Sequence, residues 1–477
     1  MFFLHWIPII LYFMLAVFSA GHALLNKKDP RAALGWIAVC LMFPLMGSLL
    51  YFLFGVNRIR TRAQKLKGFF PFQSDDSFEQ PDDKTDRVIS GLTISPGLSE
   101  ILKISCAVTR RPILGGNTIQ MLRNGEEAYP AMLDAIEKSR NSLFLSTYIF
   151  ETNKTGMRFI DALSQAAQRG VDVRVIIDGV GEIYGFPRAG TLLKQRNVRV
   201  YRFLPPRFFP PALHINLRNH RKILAADAKE CFIGGMNIGD RHLVEKQENP
   251  NRVVDIHFRL TGPVVKQMEK VFLEDWMFCS GEKIPFQEAE PIVSSGVICR
   301  TIVDGPNEDY DKLSTIIFGA IAAARSNISI MTPYFLPSRE IIAALQNAAL
   351  RNVRVNILMP AKNNLPFVQW ATSKMLWQLL QRGVRIYYQS PPFVHSKLLI
   401  VDDQYAQIGS ANLDPRSLRL NFELAVEVFG KPVSEVLAPH FQHCLQKSRE
   451  ISFREVEDRS IPVRIRDAMF WLFSPYM

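Results

Sequence analysis

Two stretches without a Lys, Arg, Asp or Glu, Phe2–Leu25 and Ala32–Val56, open the chain and set it apart from all that follows. Each is about as long as the roughly 20 apolar residues that cross a bilayer as a helix. Between them lies a short turn with Lys27, Lys28, Asp29 and Arg31, and no basic residue precedes the first stretch. Ser19-Ala20-Gly21 offers small residues of the kind a signal peptidase cuts, but a secretory signal also needs a basic start. The pattern therefore predicts a two-helix transmembrane hairpin over residues 1–67. Pro44 predicts a kink in its second arm, and a re-entrant hairpin fits the same pattern. Polar and acidic residues then dominate Gln73–Arg87 (Asp75, Asp76, Glu79, Asp82, Asp83, Asp86), broken by Pro81. That composition cannot bury a core and reads as a tether, taken as residues 68–93.

From Ile94 the pattern changes to helical spacings alternating with short β-branched runs. Met132–Ser139 leads to the apolar run Leu143–Phe150, and Phe159–Arg169 leads to Val171–Ile177. The same order returns later: Ile316–Arg325 precedes Ile328–Phe335, and Ile341–Arg351 precedes Val353–Met359. Val198–Phe203 and Val384–Tyr388 follow in their respective halves. The prediction is a pair of α/β/α sandwich domains in pseudo-twofold relation, 94–290 and 291–460, each with a central sheet. Residues 461–477 form a last segment in which Arg464 and Arg466 mix with Met469, Phe470, Trp471, Leu472 and Phe473. Such a mixture suits a bilayer interface, and packing onto the catalytic body is the alternative.

Within this repeat sits a doubled constellation: His220-x-Lys222-x4-Asp227-x6-Gly234-x2-Asn237 and His395-x-Lys397-x4-Asp402-x6-Gly409-x2-Asn412, with corresponding residues 175 positions apart. An imidazole, an ammonium and an amide in each copy predict two half-sites meeting around one phosphate. The aspartates follow the apolar runs Ile223–Ala226 and Leu398–Val401. Residues at such strand ends more often fix a turn than take part in chemistry. The spacing between halves is 186 at Val198/Val384 but 175 at the histidines, so the first half carries eleven extra residues within Leu204–Arg218. Phe208, Phe209 and Leu213 in that insertion suggest membrane or acyl-chain contact at the mouth of the site, with packing between the halves as the rival.

Charge and cysteine content narrow the class. The net charge of +12 invites a nucleic-acid reading, but residues 1–67 alone contribute +7 (Lys27, Lys28, Arg31, Arg58, Arg60, Arg62, Lys65 and Lys67 against Asp29). Basic groups beside apolar segments attract anionic headgroups at about 1 kcal/mol each. Five of them crowd the exit flank of the hairpin, which by the positive-inside rule places the catalytic part in the cytoplasm. The six cysteines show no metal-ligand or redox spacing and read as reduced thiols.

The doubled motif resembles that of the phospholipase D superfamily, residue by residue. The first copy continues Gly234-Gly235-Met236-Asn237-Ile238-Gly239-Asp240 and is followed by Phe272-x-x-Asp275-Trp276. The second reads Gly409-Ser410-Ala411-Asn412-Leu413-Asp414-x-Arg416-Ser417, then Asn421-Phe422-Glu423. With the apolar start, these extensions look like those of the bacterial cardiolipin synthases. The first copy lacks the Asp-x-Arg-Ser extension, so the halves are expected to differ in role.

The resemblance implies a phosphatidyl transfer in two steps. One motif histidine attacks phosphorus and the other protonates the departing oxygen, then deprotonates the incoming hydroxyl. By resemblance His220 is assigned as nucleophile and His395 as acid/base; the residues themselves leave the reverse open. Lys222 and Lys397 would stabilise phosphate charge, with Asn237, Asn412 and Ser410 as phosphate-binding candidates. Gly235 stands where the second half has Ser410, which suggests that small size beside the phosphate is the shared requirement. Asp255 lies 35 residues after His220 and Glu423 lies 28 after His395, where the superfamily keeps its histidine-orienting carboxylates. No metal or other cofactor is expected, because the cationic side chains do the electrostatic work.

The expected reaction joins two phosphatidylglycerol molecules into cardiolipin at the bacterial inner membrane. Phosphatidylethanolamine could replace one of them in some relatives. A hydrolytic phospholipase D would use the same residues with water as acceptor, and a nuclease is opposed by the apolar stretches. The expected partners are anionic phospholipids and the membrane, not nucleic acid.

Overall fold

A computed structural model describes residues 6–27, 30–55, 95–206, 216–245, 249–286, 296–306 and 311–474. The tether, and Phe208, Phe209 and Leu213 of the insertion, lie outside the described residues. The chain divides into two compact units, Met1–Gly68 and Phe69–Met477.

In the first unit helix α1 (Trp6–Asn26) is followed by α2 (Pro30–Met42) and α3 (Pro44–Leu50). The break falls at Phe43, directly before Pro44, where the missing N–H and the ring's demand on its predecessor end the helix. Tyr51 is buried among Ala20, Ala23 and Cys40, and its hydroxyl meets His22 Nδ1 at 2.7 Å. Gly47 lets α3 come close: a Cβ there would lie 2.2 Å from the Val39 carbonyl oxygen. Facing outward are Leu11, Phe13, Met14, Phe18, Leu34 and Met42. Among the described residues no helix is long and apolar enough to cross a membrane.

The second unit is built on a single sheet of fifteen strands. Its first half contains β1 (Leu114–Arg123), β2 (Ser142–Thr147), β3 (Asp172–Asp178), β4 (Arg199–Phe203), β5 (Ile223–Ala226), β6 (Glu230–Gly234) and β8 (Ile256–Thr261), with the short β7 (Val253–Val254) standing outside it. Its second half contains β9 (Val297–Asp304), β10 (Asn327–Met331), β11 (Arg354–Pro360), β12 (Arg385–Gln389), β14 (Leu398–Val401), β15 (Tyr405–Gly409), β16 (Glu423–Phe429) and β17 (Arg449–Glu450). Another short strand, β13 (Phe393–Val394), pairs with β7.

Read from the centre outward, the halves run β1-β8-β6-β5-β2-β3-β4 and β9-β16-β15-β14-β10-β11-β12-β17, and β1 joins β9 antiparallel. The repeat predicted two domains with a sheet each; the structure has the two sheets sharing an edge.

Strands and helices form where the apolar spacing places them. The helix Lys154–Gln168 buries Phe159, Ile160, Leu163 and Ala166 on one face, capped by Asn153, whose side chain accepts from Gly156 N. Its twofold counterpart, Arg339–Leu350, is capped in the same way by Ser338 and buries Ile341, Ile342 and Leu345. On the other face of the first half, the helix Val264–Ser280 stacks Phe272 on Phe144 at 5.0 Å between ring centroids. Each such fully buried ring contributes about 1.5–3 kcal/mol of transfer free energy.

The C-terminal helix Ile461–Leu472 lies on the helix Pro366–Leu380. Phe470 meets Trp370 at 4.8 Å, and Asp467 is buried against Arg459 and Arg466. One face of this helix thus packs onto the catalytic unit, while Met469, Leu472 and Phe473 remain exposed.

Candidate active site

Each half delivers its motif from the same end of its strands. His220 and Lys222 immediately precede β5, and His395 and Lys397 precede β14. Asn237 and Asn412 follow β6 and β15, while Asp255 and Glu423 sit at the start of β8 and β16. Short inter-half bridges then bring the two sets together. Leu217 N donates to Leu420 O, Phe422 N to Arg218 O and His220 N to Phe422 O, all at 2.8–2.9 Å. In the other half β13 lies along β7, and His395 N donates to Val254 O at 2.7 Å.

These bridges exchange the carboxylates. His220 Nδ1 lies 3.1 and 3.2 Å from the two oxygens of Glu423, and His395 Nδ1 lies 2.9 Å from Asp255 Oδ2. Each imidazole is therefore held by the acid of the opposite half. Asp255 and Glu423 are thus the acids expected to orient the imidazoles, and the inter-half bridges give each to the histidine of the other half.

Lys222 Nζ is 2.7 Å from the His220 carbonyl oxygen, and Lys397 Nζ is 2.6 Å from that of His395 and 2.9 Å from its ring nitrogens. Burial pulls Lys222 down to about 7, with the Lys397 charge adding to it and Glu423 opposing; Lys397 is pulled down to about 8, again by burial first. His220 is lowered by burial, an effect that Lys222 reinforces and Glu423 opposes, and His395 lies well below its ordinary value, through burial and then the two lysines. Burial alone would raise Glu423, but His220, Lys222 and the Ser410 hydroxyl hold it below the usual carboxylate range. The free site thus presents neutral imidazoles beside an ionised Glu423.

Several candidates sit differently from expectation. Asp227 and Asp402, grouped with the catalytic motif, are separated from it by the whole of β5 and β14. Asp227 accepts from the N–H groups of Arg140, Asn141 and Ser142, and Asp402 from those of Arg325, Ser326 and Asn327. Both turn the chain at positive φ (52° each) and pin a neighbouring strand, so the chemical role is removed from them.

Ser410 is also reassigned. Its hydroxyl donates to Glu423 Oε2 at 2.5 Å, so it is committed to the carboxylate instead of a phosphate. Gly235 answers the same need in the other half, where a Cβ would lie 2.5 Å from Asp255 Oδ2. Small size is required beside the orienting acid.

The two asparagines are held by different means. Asn237 Oδ1 accepts from Ile149 N at 3.0 Å, and its main chain is fixed by Tyr129 and His242. Asn412 Nδ2 donates to Ser417 Oγ at 3.2 Å, and Asp414 accepts from Ser417 N at 2.7 Å. The Asp-x-Arg-Ser extension present only in the second copy therefore builds the support for Asn412.

Two further groups had gone unnoticed. Tyr148 and Tyr334 follow β2 and β10 and present ring edges to His220 at 5.3 Å and His395 at 6.2 Å. Their signal lay in the repeat itself, Thr147-Tyr148-Ile149-Phe150 against Pro333-Tyr334-Phe335-Leu336. Arg221 is buried between the motif residues. It pairs with Asp275 at 2.7 Å and donates to the main-chain oxygens of Glu423 and Asp304. It ties the first motif to the strand that carries the acid of His220.

A two-domain phospholipase D-like α/β fold with paired His-Lys half-sites is the class that this architecture defines. The solved structure of phosphatidylserine synthase from Haemophilus influenzae superposes with a TM-score of 0.62, covering 79% of this chain and 100% of that one at 14% identity. A family profile described as "Cardiolipin synthase, PLD-like domain" matches residues 132–276 and 317–445, and one described as "Phospholipase_D-nuclease N-terminal" matches 14–55. The cardiolipin synthase of Geobacillus thermodenitrificans is 31% identical over 97% of this chain and 92% of its own. Cardiolipin synthase 2 of Bacillus anthracis is 31% identical over 98% and 91%. The chain belongs to the cardiolipin synthase family of the phospholipase D superfamily.

Proposed function

We propose that this enzyme transfers a phosphatidyl group between two phosphatidylglycerol molecules, giving cardiolipin and glycerol. The observation that carries the mechanism is the exchanged pairing of His220 with Glu423 and His395 with Asp255, which makes one site from two halves.

With Nδ1–H directed at Glu423, His220 presents the Nε2 lone pair to phosphorus. The P–N bond forms as the P–O bond to glycerol breaks, and His395 gives its Nε2 proton to the glycerol oxygen. A hydroxyl of the second phosphatidylglycerol then loses its proton to His395 and attacks phosphorus, and the P–N bond to His220 breaks. His395 must be protonated for the first step although burial and the lysines disfavour that. The anionic phosphodiester offsets the lysine charges on arrival, so substrate binding itself favours the working protonation state. Lys222 and Lys397 hold the phosphoryl oxygens. The amide NH2 of Asn237 is left to donate, and Asn412 donates once its side-chain amide rotates and accepts from Ser417.

Water as acceptor would make the same site a hydrolytic phospholipase D. Arrival of both substrates from a membrane supports the synthase. The outward apolar side chains of the first unit support membrane association. The uncharged lengths of sequence and the Lys/Arg bias support two crossings of the bacterial inner membrane with the catalytic unit on the cytoplasmic side. Cysteine accessibility at the N-terminus and near residue 67 of the chain in sealed vesicles tests that topology: labelling on opposite sides rejects the hairpin.

The mechanism is tested by quenching the enzyme with labelled phosphatidylglycerol in alkaline denaturant, which preserves a P–N bond, and mapping the labelled peptide. Label on His220 is expected; label trapped on a His220→Ala variant rejects the assignment.

A further inference from the structure

Two loops flank the twin tyrosines, and both end in apolar side chains left exposed among the described residues. The loop after β3 carries Ile183, Tyr184 and Phe186, the last 95% exposed. It lies directly on the site wall, because a Cβ at Gly181 would fall 1.7 Å from the Tyr148 carbonyl oxygen. The equivalent loop after β11 is fastened by Tyr334 Oη donating to Asn364 Oδ1 at 2.9 Å, and ends in the exposed Phe367.

The C-terminal helix extends this second prong. Arg459 Nη2 reaches Ser373 O at 2.9 Å, Phe470 packs on Trp370, and Arg466 lies over the same ring at 4.5 Å, which seats the helix on Pro366–Leu380. Leu472 (67% exposed), Phe473 and Met469 face outward at the end of this helix, which packs on the helix that Phe367 opens. Exposed charge on these three segments is of one sign. Arg188, Lys362 and Arg464 are exposed, the last pairing with the exposed Glu457 at 3.2 Å, while Glu182 and Asp467 are buried and paired with Arg202 and Arg459.

We propose that these two prongs are a docking surface for an anionic phospholipid bilayer, seating the mouth of the site against the lipid on both sides of the pseudo-twofold. Apolar tips enter the acyl boundary while the basic groups meet headgroups, the arrangement an interfacial surface requires. The inference rests on the phosphatidyl-transfer reading and adds to it a route: the substrate phosphate reaches His220 and His395 without its acyl chains leaving the membrane.

Full-length chain carrying p-benzoylphenylalanine at Phe186, Phe473 or Leu350 is reconstituted in phosphatidylglycerol vesicles and irradiated. Leu350 is also exposed (63%) but precedes β11, at the opposite end of the strands. Lipid adducts at positions 186 and 473, well above those at 350, are expected. Adducts confined to one prong, adducts to another copy of the chain, or a yield no higher than at 350 overturn the proposal.

Phe186→Ser should lower turnover of long-chain phosphatidylglycerol in vesicles about tenfold, the factor given by about 1.4 kcal/mol of lost apolar burial. It should leave turnover of a short-chain soluble analogue unchanged; equal losses on both substrates overturn the docking role. Cardiolipin formation by the unmodified chain is scored in the same vesicles. Adducts without synthesis would therefore reject the function and leave the docking standing.

Discussion

Exchanging Glu423 for Gln separates the pairing across halves from pairing within a half. Glu423 is fully buried and offers one oxygen to Ser410 at 2.5 Å while both oxygens lie within 3.2 Å of His220 Nδ1. Gln preserves the shape, but if its oxygen keeps Ser410 its NH2 confronts an imidazole N–H, and the ring must adopt the other tautomer with Nε2 protonated. The comparable change in a protease triad costs about 10⁴-fold, or about 5 kcal/mol. Rotation of the Ser410 hydroxyl lets the amide turn over, so the expected loss lies between about 10² and 10⁴-fold. The assay is rapid-quench formation of phosphatidyl-enzyme from phosphatidylglycerol and from an aryl ester whose leaving group needs no proton. Glu423→Gln should be slow with both, since it disables the nucleophile. Asp255→Asn should be slow with phosphatidylglycerol but fast with the aryl ester, after which the intermediate accumulates for want of a base. Peptide mapping of wild-type intermediate fixes the nucleophile independently. If label is on His220 and the aryl ester rescues Glu423→Gln instead of Asp255→Asn, the exchanged pairing is wrong.

Other outcomes follow from the same geometry. Because the lysines titrate near 7 and 8 in the free site, their charge is present below those values and lost above them. The pH profile of kcat/KM should therefore fall with an alkaline limb in that range, and the limb in kcat should lie higher, since bound phosphate retains the ammonium protons. A kcat/KM flat to about pH 9 would refute this. Asp402→Ala should lower stability by about 1–3 kcal/mol, read from denaturant midpoints, because three main-chain N–H groups lose their acceptor, while turnover below the melting range stays within about twofold. Exhaustive EDTA treatment should leave the single-turnover rate unchanged, since Lys and His supply the positive charge; recovery of a lost chemical step by one divalent ion would contradict that.

The repeat and its chemistry were legible because both are local. Helical spacing followed by β-branched runs located Lys154–Gln168, β3, Arg339–Leu350 and β11 within a few residues, and the apolar runs before Asp227 and Asp402 marked the strand ends where those acids turn the chain. What joins the halves was not legible. The bridge of Asn219 to Phe422 and the pairing of β7 with β13 connect residues far apart in sequence, and they decide which acid meets which histidine. Nor does composition reveal that Ser410 and Gly235 make room for a carboxylate, since that depends on a side chain arriving from another strand. The β1–β9 junction was missed for the same reason: an edge-to-edge pairing leaves the apolar spacing of either strand unchanged.

The central claim is that one composite site passes a phosphatidyl group to a second lipid. Purified full-length chain should be incubated with phosphatidylglycerol labelled separately in phosphorus and in the head glycerol, with no other lipid or nucleotide present. The predicted result is cardiolipin and free glycerol in equal amounts. Phosphatidic acid with glycerol and no cardiolipin would show that water is the acceptor and would contradict the account.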